Sequence, residues 1–206
     1  MIRSSLLIAS ASVALSGCAL LASPDPVQLY RFGGASAFAG TGATSACPDV
    51  HVSMRRVDFS EASRGDRILA VTGAEAAYIK GARWVSPAET LFEEALRNAF
   101  LDGGTCTVLS SGPLTRDGLL LSVDVRRFEA AYAAPDAVPD ANIVVLLRLI
   151  RPGDRSIVAE DRIAVSESAG ENRQSAIVAA FDRATAEASR QIVLWTDQQG
   201  FQATRN

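Results

Sequence analysis

The chain has 206 residues, 48% of them hydrophobic, with 20 basic and 23 acidic side chains and a formal net charge of −3. Phosphate recognition draws on clustered Lys and Arg, and a single lysine, Lys80, argues against a nucleic-acid binder. A single histidine, His51, leaves little material for a metal site.

Met1–Gly17 has the layout of a secretory signal peptide: Arg3, an apolar run from about Leu6 to Leu15, and small residues at its end. The run is too short to span a bilayer, which takes about 20 apolar residues. Leu15-Ser16-Gly17-Cys18 resembles the bacterial lipobox, which would make Cys18 the acylated first residue of the mature chain. Each buried acyl CH₂ contributes about 0.8 kcal/mol, so several chains together hold a protein at a membrane durably. An ordinary signal peptide with a cysteine at its border is the alternative. Ala19 resembles the outer-membrane sorting pattern, and the segment through Val27, with Pro24 and Pro26, has the composition of a tether. The expected organisation is a signal peptide over 1–17, an anchored tether over 18–26, one domain over 27–199 and a tail over 200–206. Loss of residues 1–17 removes one arginine and leaves 19 basic against 23 acidic side chains, a balance of −4. The 189 residues that remain of 206 suffice for one substantial core.

Val27–Phe32 is a short strand candidate, and the small-residue stretch 33–46 is a loop. Val50, Val52, Met54 and Val57 alternate roughly as in a half-buried strand, with His51, Ser53 and Arg55 opposite. Arg67–Thr72 and Ala76–Lys80 form a hairpin around Gly73. Ser86-Pro87-Ala88-Glu89 spells a capping box, which predicts Ser86 as the helix N-cap. Leu91, Ala95 and Ala99, flanked by Phe92, Leu96 and Phe100, give that helix its apolar stripe, and Gly103-Gly104 stops it. Strands follow at Thr105–Leu109, Leu119–Phe128, Asn142–Arg151 and Ile157–Val165, the third nearly all apolar and therefore central. A second helix runs from Arg173 to about Trp195, with Ile177, Phe181, Ala184, Ala188, Ile192 and Trp195 on one face. This order predicts an α/β single domain with a mixed, largely antiparallel sheet and two main helices packed on it.

No catalytic constellation emerges. His51 lies beside Asp49 with no nucleophile motif nearby, and Gly-x-Ser-x-Gly, Walker and zinc spacings are absent from the sequence. Gly33-Gly34 lacks the strand, turn and helix context of a phosphate loop. Asp66, Glu75, Glu93 and Glu94 are expected to be solvated charges. The expectation is a protein that is not an enzyme, with no cofactor and no metal. With Cys18 given to lipid, Cys47 and Cys106 remain, and an oxidising compartment favours a disulfide between them, two free buried thiols being the alternative. Tyr78, Arg83 and Trp84, just before Ser86, combine aromatic and guanidinium groups of the kind enriched at contact surfaces. A tryptophan packed under the helix start, with Arg83 exposed, is the competing reading of the same residues.

At this stretch the sequence resembles the ABC-type transport auxiliary lipoprotein family, which includes the outer-membrane lipoprotein of the paraquat-inducible system. The features that carry the resemblance are Cys18, VQLYRF, RILAVTGAEAAYIKGARWVSP running into ETLFEEALRNAF, VDVRRFEA and the alanine-rich closing helix. It implies a non-catalytic component at the periplasmic face of the outer membrane, docking an MCE-type periplasmic substrate-binding protein of an ABC lipid transporter. Tyr78, Arg83 and Trp84 are the candidate contact residues. Two other classes stay open: a lipid-binding carrier, with Ile143–Ile150 lining a cavity between sheet and helix, and an envelope-assembly lipoprotein with no transport role.

Overall fold

The computed structural model describes residues 26–38, 49–110 and 118–205. Its elements run β1 (Gln28–Tyr30), β2 (Val50–Met54), β3 (Asp58–Phe59), β4 (Arg67–Thr72), β5 (Glu75–Trp84), α1 (Ala88–Gly103), β6 (Thr107–Leu109), β7 (Leu119–Tyr132), β8 (Asp140–Ile150), β9 (Ile157–Ser168) and α2 (Gln174–Ala203). The nine strands make one mixed sheet with both helices over one face, the α/β domain expected.

β7 organises the sheet. Along one side it pairs antiparallel with β8, which pairs antiparallel with β9. Along the other side it meets, in turn and in parallel, β2 at Leu119–Leu121, β3 at Asp124–Val125 and β4 at Ala130–Tyr132. β6 extends the sheet from β2, while β5 and then β1 extend it from β4. The three antiparallel pairings are the long ones; the parallel pairings are two or three residues each.

Leu121, Val123 and Val125 point inward along β7, and simple alternation would then turn Phe128 outward. A bulge at Arg126 resets the parity, so Arg126 and Arg127 are both exposed and Phe128 is buried. Phe128 thereby joins an aromatic cluster: it lies 5.1 Å from Phe32 and 4.8 Å from Phe181, while Trp84 meets Phe32 edge-on at 4.8 Å and Phe181 at 5.4 Å. Such pairs contribute about 0.5–1.5 kcal/mol each beyond the area they bury. β8 is central as its apolar run requires, and Ile143, Leu147 and Leu149 are fully buried in the same core that α2 covers.

α1 corrects one expectation. Its N-cap is Pro87 with no side-chain cap bond, so the Ser86–Glu89 capping box does not form. Tertiary structure supplies the cap: the amide of Ala88 donates to the Gly65 carbonyl at 2.9 Å, and Glu89 pairs with Arg56 at 2.7 Å. At the other end the glycines serve close approach. A Cβ on Gly103 would meet the Phe38 ring at 2.2 Å, and one on Gly104 would meet the Phe100 carbonyl at 2.7 Å.

α2 continues past Trp195 to Ala203, so much of the 200–206 stretch expected as tail is helix. Trp195 is half-buried, and the buried face carries the polar Thr185, Ser189, Thr196 and Asp197. Two aspartates on this helix gather loops. Asp182 Oδ1 accepts the amides of Gly33, Gly34 and Ala35 at 2.7, 2.9 and 3.2 Å, so the Gly-Gly turn cradles the protein's own carboxylate. Gly33 has φ +84°, and a Cβ there would lie 2.9 Å from that of Ala95. Asp197 binds the start of β6 in the same way, accepting the amides of Thr105 and Thr107, each at 2.8 Å.

Candidate functional site

The helices leave the opposite sheet face bare, and Tyr78 and Arg83, two of the three residues singled out before Ser86, lie at one corner of it. β5 is longer than the expected Ala76–Lys80 and carries Arg83 and Trp84 within the strand. Alternation then separates the two. Ala82 and Trp84 turn inward, Trp84 to 2% exposure, while Arg83 is exposed. Trp84 is core, packed against Phe32 and Phe181, and its surface is spent on that packing.

Around the hairpin turn, Leu69 faces Tyr78 in register; between that pair and Arg67↔Arg83, β4 contributes one residue and β5 contributes four. Gly81, at φ +73°, accommodates part of the surplus. The irregularity sets Arg67 opposite Arg83. Arg83 is neutralised by Asp66, whose two carboxylate oxygens it reaches at 3.0 and 2.9 Å, with both side chains nearly half exposed. Arg67 has no carboxylate partner among the described residues; its guanidinium lies 3.7 Å from the centre of the Tyr78 ring. The Tyr78 hydroxyl in turn donates to the Ala62 carbonyl at 3.1 Å, which fixes the ring. A pocket of about 170 Å³ opens beside this stack, lined by Glu61, Ala62, Arg64, Gly65, Arg67 and Tyr78.

The structure places Tyr78 and Arg83 at this corner and adds Arg67, which sequence reading did not single out because the surplus residues in β5 hide which positions face each other. Asp66, expected to be a solvated charge, is the carboxylate that occupies Arg83. Cys106 is disulfide-bonded, and Cys18 and Cys47 lie outside the described residues. His51 is exposed on the bare face opposite Val108. Among the described residues no three His, Cys, Asp or Glu side chains group as a metal site, and no helix is long and apolar enough to cross a membrane. The shifted titrations lie elsewhere: a hydrogen bond from Arg190 holds the Glu187 carboxyl below its ordinary range, and burial raises the Tyr132 hydroxyl.

Two helices on one face of a mixed nine-stranded sheet, with an arginine and tyrosine corner on the other, define a two-layer α/β domain with one open sheet face. The chain belongs to the family of ABC-type transport auxiliary lipoprotein components, whose profile matches residues 35–193. No curated protein matches it. A crystal structure of a Xanthomonas campestris protein is similar in fold, with a TM-score of 0.76 at 24% identity over 87% of this chain and 100% of that one. A structure of an uncharacterized protein aligns with a TM-score of 0.62 at 16% identity, over 82% and 98% of the two chains. Membership makes the protein an auxiliary lipoprotein component of ABC-type transport, associated with the cell envelope.

Proposed function

We propose that the protein is anchored through Cys18 at the periplasmic face of the outer membrane. There it docks the MCE-type periplasmic substrate-binding protein of an ABC lipid transporter and does no chemistry itself. The observation that supports docking most directly is the corner described above: a rigid strand pair presents Tyr78 and Arg67 to solvent with the ring and guanidinium already in place. Side chains held in this way lose little entropy when a partner covers them. Family membership supports the transport setting.

The lipid-carrier reading draws no support from the packing, since the inward side chains of β8 are buried among those of β7 and α2. The test is co-purification. Full-length, lipidated protein solubilised from its native cells in detergent should retain an MCE-type substrate-binding protein. Absence of that capture, together with stoichiometric lipid extracted from the purified protein, would favour the carrier and refute docking.

A further inference from the structure

We infer that Arg67 is the anchor of the docking surface and that it receives a carboxylate from an acidic side chain of the partner protein. The inference rests on the docking reading and names the chemistry of the contact.

Like charges directly opposed across a strand pair are unfavourable, and Arg67↔Arg83 is such a pair. Asp66 neutralises Arg83 through two contacts and leaves the Arg67 charge uncompensated within the described residues. A guanidinium stacked on a ring keeps its five N–H donors in its own plane, directed outward past the ring. Here that ring is tied to the Ala62 carbonyl, so the fork is positioned before any partner arrives. The neighbouring 170 Å³ pocket has room for one acidic side chain, whose carboxylate would meet the edge of the fork.

The surroundings favour a single carboxylate over a membrane surface. Glu61 and Asp66 flank the corner, and both would be forced against a dense array of anionic headgroups. One acidic side chain would enter beside Glu61, whose charge is already paired with Arg64 at 3.0 Å, while Asp66 is held by Arg83. Arg83, also exposed, is already paired and adds little.

The experiment compares capture of the MCE-type protein by detergent-solubilised, lipidated wild type, Arg67→Gln and Arg83→Gln. Arg67→Gln should weaken capture about tenfold or more, with a flatter salt dependence, while Arg83→Gln stays within about threefold. Thermal midpoints should be unchanged, since both side chains are exposed. Arg67→Lys, treated with a carbodiimide in the complex, should form an amide from position 67 to an aspartate or glutamate of the partner. Equal capture by wild type and Arg67→Gln overturns the inference and leaves the docking proposal standing. Loss confined to binding of phosphatidylglycerol vesicles also overturns it, in favour of the membrane. If wild type does not capture the MCE-type protein, the docking proposal falls. A capped peptide of alternating Glu and Gly then decides the inference: binding that depends on Arg67 supports it, and equal or absent binding overturns it.

Discussion

Asp197→Ala should be among the most damaging single changes in this protein although it removes no apolar surface. Asp197 is 6% exposed and its carboxylate accepts four hydrogen bonds: Oδ2 takes the amide and hydroxyl of Thr105, both at 2.8 Å, and Oδ1 takes the amides of Cys106 at 3.3 Å and Thr107 at 2.8 Å. Thr107 is buried and its amide would be left without a partner, while Thr105 and Cys106 are half-buried and can turn partly to water. An orphaned buried donor costs about 1–3 kcal/mol. Counting Thr107 in full and the others in part, and allowing for relief from burying a charge, gives a loss of about 3 kcal/mol. Asp197→Asn keeps one acceptor oxygen but aims an NH₂ at donors, for a loss of about 2 kcal/mol. Urea unfolding followed by tryptophan fluorescence measures both. At a slope of about 2 kcal/mol/M, the midpoint of Asp197→Ala should fall by about 1.5 M with the slope unchanged. A midpoint within about 0.3 M of wild type would mean that this loop does not depend on the carboxylate.

Trp84→Ala should cost about 3–5 kcal/mol and lower the melting midpoint by about 10 °C, whereas Arg83→Ala should stay within about 1 kcal/mol of wild type. A mild loss at Trp84 would contradict its place in the aromatic core. Asp182→Ala should raise hydrogen exchange at Gly33, Gly34 and Ala35 with little change at core strands, and unchanged protection there would refute the clamp. Peptide mapping without reduction should find Cys106 joined to Cys47. The two are 59 positions apart, and closing that loop should contribute about 4 kcal/mol in the chain-entropy account. Two thiols reactive in the denatured, unreduced chain would exclude the bond.

The elements were legible wherever pattern is local. The apolar stripe of α1, the alternation of β7 from Leu121, the apolar run of β8 and the Gly73 hairpin each specify an element within a dozen or so residues. Boundaries were legible only where the stop is local too. Gly103-Gly104 ends α1 as read, but Ser86 does not start it, because the Gly65 and Arg64 carbonyls reach the first amides before the serine is needed. The corner was half legible. Tyr78 and Arg83 stood out by residue type, while Trp84 was divided between surface and core until strand parity turned it inward.

What the chain determines by itself is periodicity, and with it the two helices and the strands. Tertiary structure alone decides which strand lies beside which, and with that which polar groups find partners. Gly33 meets Asp182 across 149 positions and Thr107 meets Asp197 across 90, separations at which no local spacing constrains the pairing. The same holds for Arg67. That it has no carboxylate partner among the described residues follows from three surplus residues in β5, which set it opposite Arg83 and leave Asp66 to the other arginine. Register is a property of two strands together, and a single strand's sequence carries only its own half of it.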